Sequence, residues 1–248
     1  MKIDISAIQL SKQDVEKGLE LPQFITEDLV YLCGFLAGDG CFSFRPKKYE
    51  YSITCVGHPK DEKSLYENVI VPLFKKLFKI TVIPRLYDKG TTFGIRIYSK
   101  SLFLFFTRIM QMPYSYKSGK VIIPEIIRYD EGLVKYFIQG FADADFCLCL
   151  KRRYRKIPYY PTIIGVSKSK VIIQQISDFL KSKEIKFSLQ LDAKRIDKRI
   201  IKGYTISSRV YISGRTQVDK WMSVIGFRSP KFLGIYSKIA GEGFEPSA

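Results

Sequence analysis

One short segment occurs twice in this sequence in diverged form. The first copy reads Leu29-Val-Tyr-Leu-Cys-Gly-Phe-Leu-Ala-Gly-Asp-Gly40, and the second reads Leu133-Val-Lys-Tyr-Phe-Ile-Gln-Gly-Phe-Ala-Asp-Ala-Asp145. When Gly34 is aligned with Gly140, Asp39 falls on Asp145, so the members of each pair are 106 residues apart. Self-similarity at a fixed spacing predicts that the chain contains two copies of one structural unit.

The apolar patterns that follow each copy also repeat. Two β-rich stretches, an amphipathic helix, two more β-rich stretches and a further helix come after each segment. In the first half we predict strands at residues 41–45, 49–56, 80–87 and 92–98, and helices at residues 61–78 and 101–112. In the second half we predict strands at residues 147–155, 159–166, 185–191 and 204–212, and helices at residues 170–181 and 216–224. The fold class is therefore α+β, with two pseudo-symmetric αββαββα halves.

The remaining stretches set the predicted domain boundaries. Pro113, Ser118-Gly119 and Pro124 interrupt the pattern between the repeats and indicate a linker. The predicted domains are an N-terminal extension (1–25), a first half (26–112), a linker (113–129), a second half (130–240) and a Gly/Pro/Ser-rich tail (241–248). The pattern assigns no role to residues 1–24, beyond a short helix near Ser11.

Each repeated segment is predicted to be an apolar helix with a stripe of small residues. Thr26 is a suitable N-cap for the first helix. Gly34 and Gly38 in one segment, and Gly140 and Ala144 in the other, are four residues apart and share a helix face. Glycine costs about 1 kcal/mol relative to alanine inside a helix, so matching small pairs favour direct packing of the two helices over chance.

An aspartate ends each of these predicted helices. Asp39 and Asp145 both face the unfavourable negative end of a helix dipole, and they would repel each other if the helices paired. A single aspartate after a helix is usually a solvated turn residue. Two at matching positions indicate instead a site for divalent cations, and hard oxygen ligands with retained water suit Mg²⁺.

The two segments resemble the LAGLIDADG motif of homing endonucleases, here Leu32-Cys-Gly-Phe-Leu-Ala-Gly-Asp-Gly40 and Ile138-Gln-Gly-Phe-Ala-Asp-Ala-Asp-Phe146. The resemblance implies a pseudo-twofold monomer whose two curved antiparallel four-stranded sheets, with helices on one face, straddle the DNA, and whose motif helices pair at the interface. It implies that Asp39 and Asp145 are metal ligands and catalytic residues, with Gly38 and Ala144 at the same metal site. It also implies Mg²⁺-dependent cleavage of both strands of a long, nearly asymmetric site, with Mn²⁺ as an alternative metal and Ca²⁺ as a non-catalytic substitute.

Two positions depart from the motif. Ala37 stands where an acid or an apolar residue is usual, which we expect to be harmless. Phe146 replaces the final glycine of the second copy, at a point where the chain is expected to turn sharply from helix to strand. We therefore expect that Phe146 alters the turn or the metal site of the second half.

Other polar residues are expected near the metal through the same resemblance. Lys100 resembles the family's lysine at a strand-to-helix junction, and Arg215 is its counterpart in the second half. His58 and Lys168 each follow the second strand of a half, where the family places water-organising residues. His58 could equally cap the helix that begins near Asp61, and Lys168 could belong to a surface charge run.

The charge balance indicates a polyanionic partner. The sequence carries 41 Lys and Arg against 24 Asp and Glu, a formal net charge of +17. Alternating strands present polar, partly basic faces that suit base edges, and basic loops extend them toward phosphates. The residues predicted to contact DNA are Arg45, Lys47, Lys48, Arg85, Arg96, Tyr98, Lys151, Arg153, Arg155, Lys186, Ser188, Gln190, Lys194, Arg195, Lys198, Arg199, Ser207 and Arg209.

Composition argues against several other classes of protein. With a single histidine, His58, and five cysteines without a CxxC pair, the sequence indicates neither a His-based triad nor a zinc site. The apolar runs are far shorter than the roughly 20 residues of a membrane span, so we expect an intracellular protein that does not insert in membranes. The leading hypothesis is an intron-encoded or freestanding monomeric DNA endonuclease. The alternative is an intron RNA maturase or an inactive nucleic-acid-binding relative on the same fold, and a membrane-surface scaffold is a remote third.

Overall fold

The structure, a computed structural model, describes residues 1–115, 117–152, 159–197 and 200–241. It divides into two compact units. The first comprises Met1–Lys117, Ile123–Ala144 and the short segment Arg228–Lys231, and the second comprises Ser118–Ile122, Asp145–Phe227 and the chain from Phe232 onward. Both repeated helices therefore lie in the first unit, which the repeat pattern alone did not indicate.

The first unit is built around one four-stranded sheet. Its strands are β1 (Gly40–Arg45), β2 (Glu50–Gly57), β3 (Arg85–Tyr87) and β4 (Thr92–Tyr98). Its helices are α1 (Lys12–Glu16), α2 (Glu27–Gly38), α3 (Lys63–Leu65, a π turn at Tyr66–Ile70, then Val71–Phe78), α4 (Lys100–Leu104, then a π turn at Phe105–Ile109), α5 (Glu125–Arg128) and α6 (Glu131–Asp145, of which Asp145 belongs to the second unit).

The second unit repeats the arrangement. Its strands are β5 (Phe146–Lys151), β6 (Tyr160–Ser167), β7 (Ser188–Ile196) and β8 (Tyr204–Ser213). Its helices are α7 (Lys170–Ser182), α8 (Arg215–Val224) and α9 (Pro230–Gly241, whose first two residues belong to the first unit). The strand orders are β1-β2-β4-β3 and β5-β6-β8-β7, and every pair is antiparallel. The predicted α+β fold with two four-stranded antiparallel sheets is confirmed.

Two predicted strands were placed wrongly. β3 is only three residues long, because Pro84 immediately before it cannot donate to a strand ladder. β7 begins at Ser188 rather than at residue 185, and its register shifts between Gln190 and Ala193. A bulge of this kind exchanges the faces of the residues that follow it. Alternation read from residues 185–191 therefore could not give the face of the rest of the strand.

Each sheet buries its apolar face under helices of its own unit. In the first unit, every residue of α2 from Leu29 to Ala37 is buried, so this helix lies at the centre of the core. In the second, Trp221 of α8 is fully buried and packs on Phe146 and Phe227. Over the parts of the chain that the structure describes, every helix is too short or too polar to traverse a bilayer.

The N-terminal extension is an ordered part of the first unit. Ile3 and Leu19 are buried, and the Ile3 amide donates to the Gln23 carbonyl at 2.8 Å. Asp14, only 1% exposed, accepts hydrogen bonds from the hydroxyls of Ser11 and of Ser101 in α4, both at 2.7 Å. Burial alone would raise the pKa of Asp14, but these hydrogen bonds hold it below its usual value, so the carboxylate is ionised when it anchors the segment.

Candidate functional site

The two repeated helices, α2 and α6, are in direct backbone contact within the first unit. A β-carbon on Gly34 would lie 2.0 Å from the carbonyl oxygen of Phe137, and one on Gly140 would lie 1.9 Å from that of Tyr31. The same two β-carbons would also approach a backbone amide each. The one on Gly34 would lie 2.9 Å from the Phe141 nitrogen, and the one on Gly140 would lie 2.8 Å from the Phe35 nitrogen. Each contact becomes its counterpart when residue numbers are exchanged by the repeat offset, which is the signature of a twofold-related pair. The predicted direct packing of the helices is confirmed.

Asp39 and Asp145 both stand where a repeated helix meets a strand. Asp39 caps the C-terminus of α2, its amide donating to the Phe35 carbonyl at 3.0 Å, and β1 begins at the next residue. Asp145 is the last residue of α6, and β5 begins at Phe146. Both side chains are partly exposed. The carboxylates therefore lie at helix C-termini, as predicted, in the electrostatically unfavourable position.

The charge of Asp39 acts on two buried groups near it, Cys55 and Tyr66. Burial raises the pKa of the Cys55 thiol well above its ordinary value, and the negative charge of Asp39 raises it further. Burial also raises the pKa of the Tyr66 hydroxyl, with Asp39 adding to the effect. Both groups therefore stay neutral beside the partly exposed Asp39.

Lys117 is a site residue that the sequence did not indicate. Its ammonium donates to the carbonyl oxygens of Ala37, at 3.0 Å, and of Gly38 at the end of α2. A cation here offsets the negative end of the helix dipole, and it lowers the pKa of Cys55 against the effect of Asp39. The residue lies in the predicted linker, where only tertiary folding brings it to the helix end.

His58 and Lys168 lie at the aspartate ends of their sheets. Gly40 pairs with Cys55 and Phe146 pairs with Gly165, so the residues after β2 and β6 lie beside the helix-to-strand junctions. His58 accepts from the Asp61 amide through Nδ1 at 3.3 Å, in the turn that precedes the start of α3 at Lys63, so it does not cap the helix itself. Lys168 is exposed directly after β6.

Lys100 and Arg215 were assigned wrongly to the metal site. They are indeed counterparts, each the first residue of the helix after a fourth strand. The register, however, places them at the opposite end of their sheets, with Tyr98 opposite Ser52 in the first and Ser213 opposite Thr162 in the second. The aspartates are about five strand residues away, roughly 16 Å.

Their contacts explain what these two side chains do instead. The Lys100 ammonium donates to the Tyr49 hydroxyl at 2.9 Å, a hydrogen bond that raises the pKa of Lys100, and it lies over the Tyr49 ring. The Arg215 guanidinium binds Asp219 one turn along α8 at 2.9 Å. Both contacts stabilise local structure at the far end of a sheet.

The expectation that Phe146 disturbs the turn is also wrong. Neither Gly40 nor Phe146 has a positive φ, so no left-handed turn residue is needed at either junction. Gly40 is required by contact, since its β-carbon would lie 2.4 Å from the Leu36 carbonyl oxygen. Phe146 is 5% exposed and packs on Trp221, and its ring takes the space that a side chain at Gly165 would need.

A buried polar network joins α2 and α6 to the segment Arg228–Lys231. Asp143, 3% exposed, accepts from the Tyr31 hydroxyl at 2.6 Å and from the amides of Arg228 and Ser229 at 2.9 and 3.1 Å. Burial raises the pKa of Asp143 to about 6, although these hydrogen bonds oppose the rise. The segment thereby holds an acid of the second motif that the sequence did not single out.

The Arg228 side chain extends this network to the start of α2. Its guanidinium donates to Asp28 at 2.6 Å and to Gln139 at 3.1 Å, and lies 4.2 Å from the centre of the Tyr31 ring. One arginine therefore links the first turn of one repeated helix to the middle of the other. Charge-assisted hydrogen bonds in a half-buried position are among the stronger polar contacts in proteins.

The open face of the first sheet carries three of the six predicted DNA contacts of that half. Register places Arg85, Arg96 and Tyr98 on the face opposite the helices, and all three are exposed. Arg96 donates to the Thr54 hydroxyl at 3.2 Å and stacks on Tyr87. The other three predicted contacts are also exposed: Arg45, at the end of β1, pairs with Glu50 at 3.3 Å, and Lys47 and Lys48 lie in the β1–β2 connection.

In the second sheet the register supports part of the predicted set. Ser188, Gln190, Arg195, Arg209 and Lys151 lie on the open face. Tyr211 joins them, receiving a hydrogen bond from Arg195 at 3.2 Å and lying under the Lys151 ammonium at 5.1 Å. A basic and polar surface is thus present on this sheet too.

Three residues predicted for this surface do not contribute to it as predicted, because one is buried and two lie elsewhere. Ser207 has the predicted orientation but is only 7% exposed. Lys194 follows the bulge and so points to the helix side of the sheet, against the Tyr204 ring. Lys186 precedes β7. Arg153, Arg155, Lys198 and Arg199 lie outside the described residues.

No preassembled cage for a metal exists among the described residues: no cluster of three or more His, Cys, Asp or Glu side chains occurs in them. The donor set at the end of α2 nevertheless suits a hard cation. It consists of the Asp39 carboxylate and the carbonyl oxygens of Ala37 and Gly38. These two carbonyl oxygens already accept hydrogen bonds from the Lys117 ammonium. Oxygen ligands completed by water or phosphate are those that Mg²⁺ prefers.

The chain is similar to solved structures named as homing endonucleases or meganucleases. I-DmoI in complex with DNA and Ca has a TM-score of 0.57 and 16% identity, covering 86% of this chain and 97% of that one. The LAGLIDADG meganuclease I-AabMI bound to uncleaved DNA has a TM-score of 0.51 and 13% identity, covering 87% and 90%. The meganuclease I-SmaMI bound to uncleavable DNA has a TM-score of 0.52 and 12% identity, covering 85% and 88%.

No protein-family model and no curated protein matches the sequence. The structural similarities extend over most of each chain, and they show that this chain has the fold of the LAGLIDADG homing endonucleases.

Proposed function

On the premise of that shared fold, we propose that the chain is a LAGLIDADG homing endonuclease that hydrolyses both strands of a specific DNA site with divalent metal. One observation carries the proposal. The two motif helices touch at Gly34 and Gly140, and the same 106-residue offset that relates these contacts relates Asp39 to Asp145. A paired repeat with an acid at the end of each helix is the arrangement that the motif implies.

Asp39 and Asp145 are proposed as the metal ligands, with the carbonyls of Gly38 and Ala144 beside them. Two acids at helix C-termini are destabilising without a cation, and their partial exposure leaves them open to substrate and water. A bound divalent cation supplies Lewis-acid polarisation of a phosphodiester and a water of lowered pKa. The similar I-DmoI structures with DNA contain Mn, Mg or Ca, and we infer Mg²⁺ or Mn²⁺ as the working metal here.

Lys117 is proposed to stabilise charge at the same site. Its ammonium sits on the last carbonyls of α2, one residue from Asp39 along the chain. A lysine at this position can stabilise the negative charge that develops on a phosphate oxygen. Its side chain is flexible, and its ammonium carries three rotatable donors. His58 and Lys168, at the aspartate ends of their sheets, are proposed to orient water or phosphate.

Binding is proposed to occur on the open faces of the sheets. Arg85, Arg96 and Tyr98 in the first sheet, with Gln190 and Arg209 in the second, offer the donors and acceptors that base edges in a major groove pair with. The exposed basic connections hold phosphates, so affinity falls steeply with salt. The site is proposed to be long and nearly asymmetric because the two faces carry different residues, and the working state is proposed to be a monomer.

The test is a cleavage selection followed by three substitutions, at Asp39, Asp145 and Lys117. The protein is incubated with a library of randomised duplexes and Mg²⁺, and the cleaved molecules define the site. We expect Asp39→Asn and Asp145→Asn to abolish cleavage of both strands while duplex affinity is retained. Lys117→Met should slow cleavage by 10-fold or more with little change in affinity, as roughly expected for loss of one charge-stabilising group.

Outcomes of this experiment separate the proposal from its alternative. Tight duplex or intron RNA binding with no metal-dependent cleavage of any library member would contradict an endonuclease, and would favour a maturase or an inactive relative. Cleavage that survives both aspartate substitutions would contradict the assignment of the metal site but not the activity. The control variant Asp130→Asn changes an exposed acid before α6 in the same way and should leave cleavage unchanged.

A further inference from the structure

The N-terminal extension places exposed lysines near Tyr98, at the end of β4 in the first sheet. Lys17 lies just beyond α1, and its ammonium donates to the Tyr98 carbonyl at the end of β4 at 3.3 Å. Lys12, the first residue of α1, is also exposed. The two side chains lie on either side of Tyr98, because each lines a different surface cleft and Tyr98 lines both.

Both clefts are strongly basic. The cleft on the Lys17 side is lined by the further cations Lys79, Arg85 and Arg96, and none of its lining residues is acidic. The cleft on the Lys12 side adds Lys48, Lys100, Tyr49 and Tyr51. Its one acid, Glu50, is already paired with Arg45 at 3.3 Å. Uncompensated cations around aromatic rings are complementary to a phosphodiester chain.

The cleft on the Lys17 side continues the surface proposed to read DNA, and the cleft on the Lys12 side meets that surface at Tyr98. Arg85, Arg96 and Tyr98 belong to the open face of the sheet, and the N-terminal lysines lie at its border. From Lys12 to Lys17 the chain advances by five residues, roughly 7 Å if helical, whereas neighbouring phosphates of one strand advance about 3.4 Å along the duplex. This backbone spacing is roughly twice the rise between neighbouring phosphates of one strand.

We propose that residues 1–24 form a phosphate-binding arm, in which Lys12 and Lys17 hold the sugar–phosphate backbone of duplex DNA beyond the base pairs that the first sheet reads. This inference rests on the proposed DNA-binding function. The arm precedes only the first repeat, so it lengthens the contacted DNA on one side of the site. Its rigid mounting limits the entropy lost on binding, because Asp14 and the buried Ile3 and Leu19 already fix the segment.

The experiment measures salt dependence on DNA of arbitrary sequence, since phosphate contacts carry no sequence information. Affinity for a fluorescein-labelled, mixed-sequence duplex of about 30 base pairs is followed by anisotropy in EDTA between 50 and 200 mM KCl, the range over which phosphate contacts dominate. The double variant Lys12→Ala/Lys17→Ala is compared with Lys75→Ala/Lys181→Ala. The control removes the same charge from exposed positions on α3 and α7.

Each lost phosphate contact lowers the slope of log K against log salt by about 0.9, so the arm variant should lose about 1.8 and bind up to roughly 60-fold more weakly at 0.1 M salt. The control variant should keep the wild-type slope. The variant Lys12→Arg/Lys17→Arg should keep it too, because arginine carries the same positive charge. Equal slopes for arm and control variants, with wild-type binding intact, would overturn the arm. Absence of duplex binding by the wild type would overturn the proposed function instead. Thermal melts of all variants show whether a loss reflects unfolding.

Discussion

Gly34→Ala is the substitution that most directly probes the pairing of the motif helices. The added carbon would lie 2.0 Å from the Phe137 carbonyl oxygen and 2.9 Å from the Phe141 amide nitrogen, both backbone atoms that cannot rotate away. Ordinary contact distances are about 3.5 Å, so α2 and α6 must separate by roughly 1.5 Å. A gap of this size removes half or more of the dispersion attraction across the contact.

The expected cost is the overpacking penalty less the gain in helix propensity. Forcing a methyl group into a packed core costs about 1–3 kcal/mol, and contact with rigid backbone places this case at the upper end or beyond. Alanine returns about 1 kcal/mol as a better helix former than glycine. We expect a net loss of roughly 2–3 kcal/mol from the free energy of unfolding.

Urea denaturation gives the measurement, and Gly234→Ala is the matched control. Gly234 also lies inside a helix, but nothing lies within 4 Å of its β-carbon position, so this variant should gain about 0.5–1 kcal/mol. Gly140→Ala should behave as Gly34→Ala does, because its β-carbon would lie 1.9 Å from the Tyr31 carbonyl oxygen. If both motif variants were stabilised like the control, the close helix contact described above would be refuted.

Two further substitutions test the second motif and its network. Phe146→Ala should lower the free energy of unfolding by about 3–5 kcal/mol, because the ring is buried against Trp221; a loss below 1 kcal/mol in urea denaturation would contradict its core position. Arg228→Ala should cost roughly 1–3 kcal/mol, since Asp28 loses a half-buried partner and Tyr31 loses a stacked guanidinium. Its control, Lys76→Ala, removes the exposed second partner of Asp28 and should cost at most about 1 kcal/mol, so equal losses would argue against the network.

Local rules explain why so much of the fold could be predicted. Periodicity gave the type and order of the principal strands and helices, because a two-residue period and a helical period are properties of the chain itself. Small residues at matching positions predicted the helix contact at Gly34 and Gly140. Where local chemistry changed the pairing, as with Pro84 before β3 and the bulge after Gln190, the prediction missed by several residues.

The candidate site also contains residues whose positions could be predicted from sequence and residues whose positions could not. The position of Asp39 and Asp145 at the ends of the repeated helices could be predicted from sequence because an acid at the end of a repeated helix is a local pattern, and their role as metal ligands stays a proposal. Lys100 and Arg215 were misplaced, because a junction between a strand and a helix occurs at both ends of a sheet and only the register says which end it is.

What the sequence by itself determined is therefore the repeat, its acids, its basic charge and the order of its elements. Only the tertiary structure decided which distant residues join them. Lys117 reaches the last carbonyls of α2 from the predicted linker, and Arg228 reaches Asp28 across 200 positions of chain. The physical reason is that hydrogen bonds and packing act through space, whereas propensity and periodicity act over a few neighbouring residues.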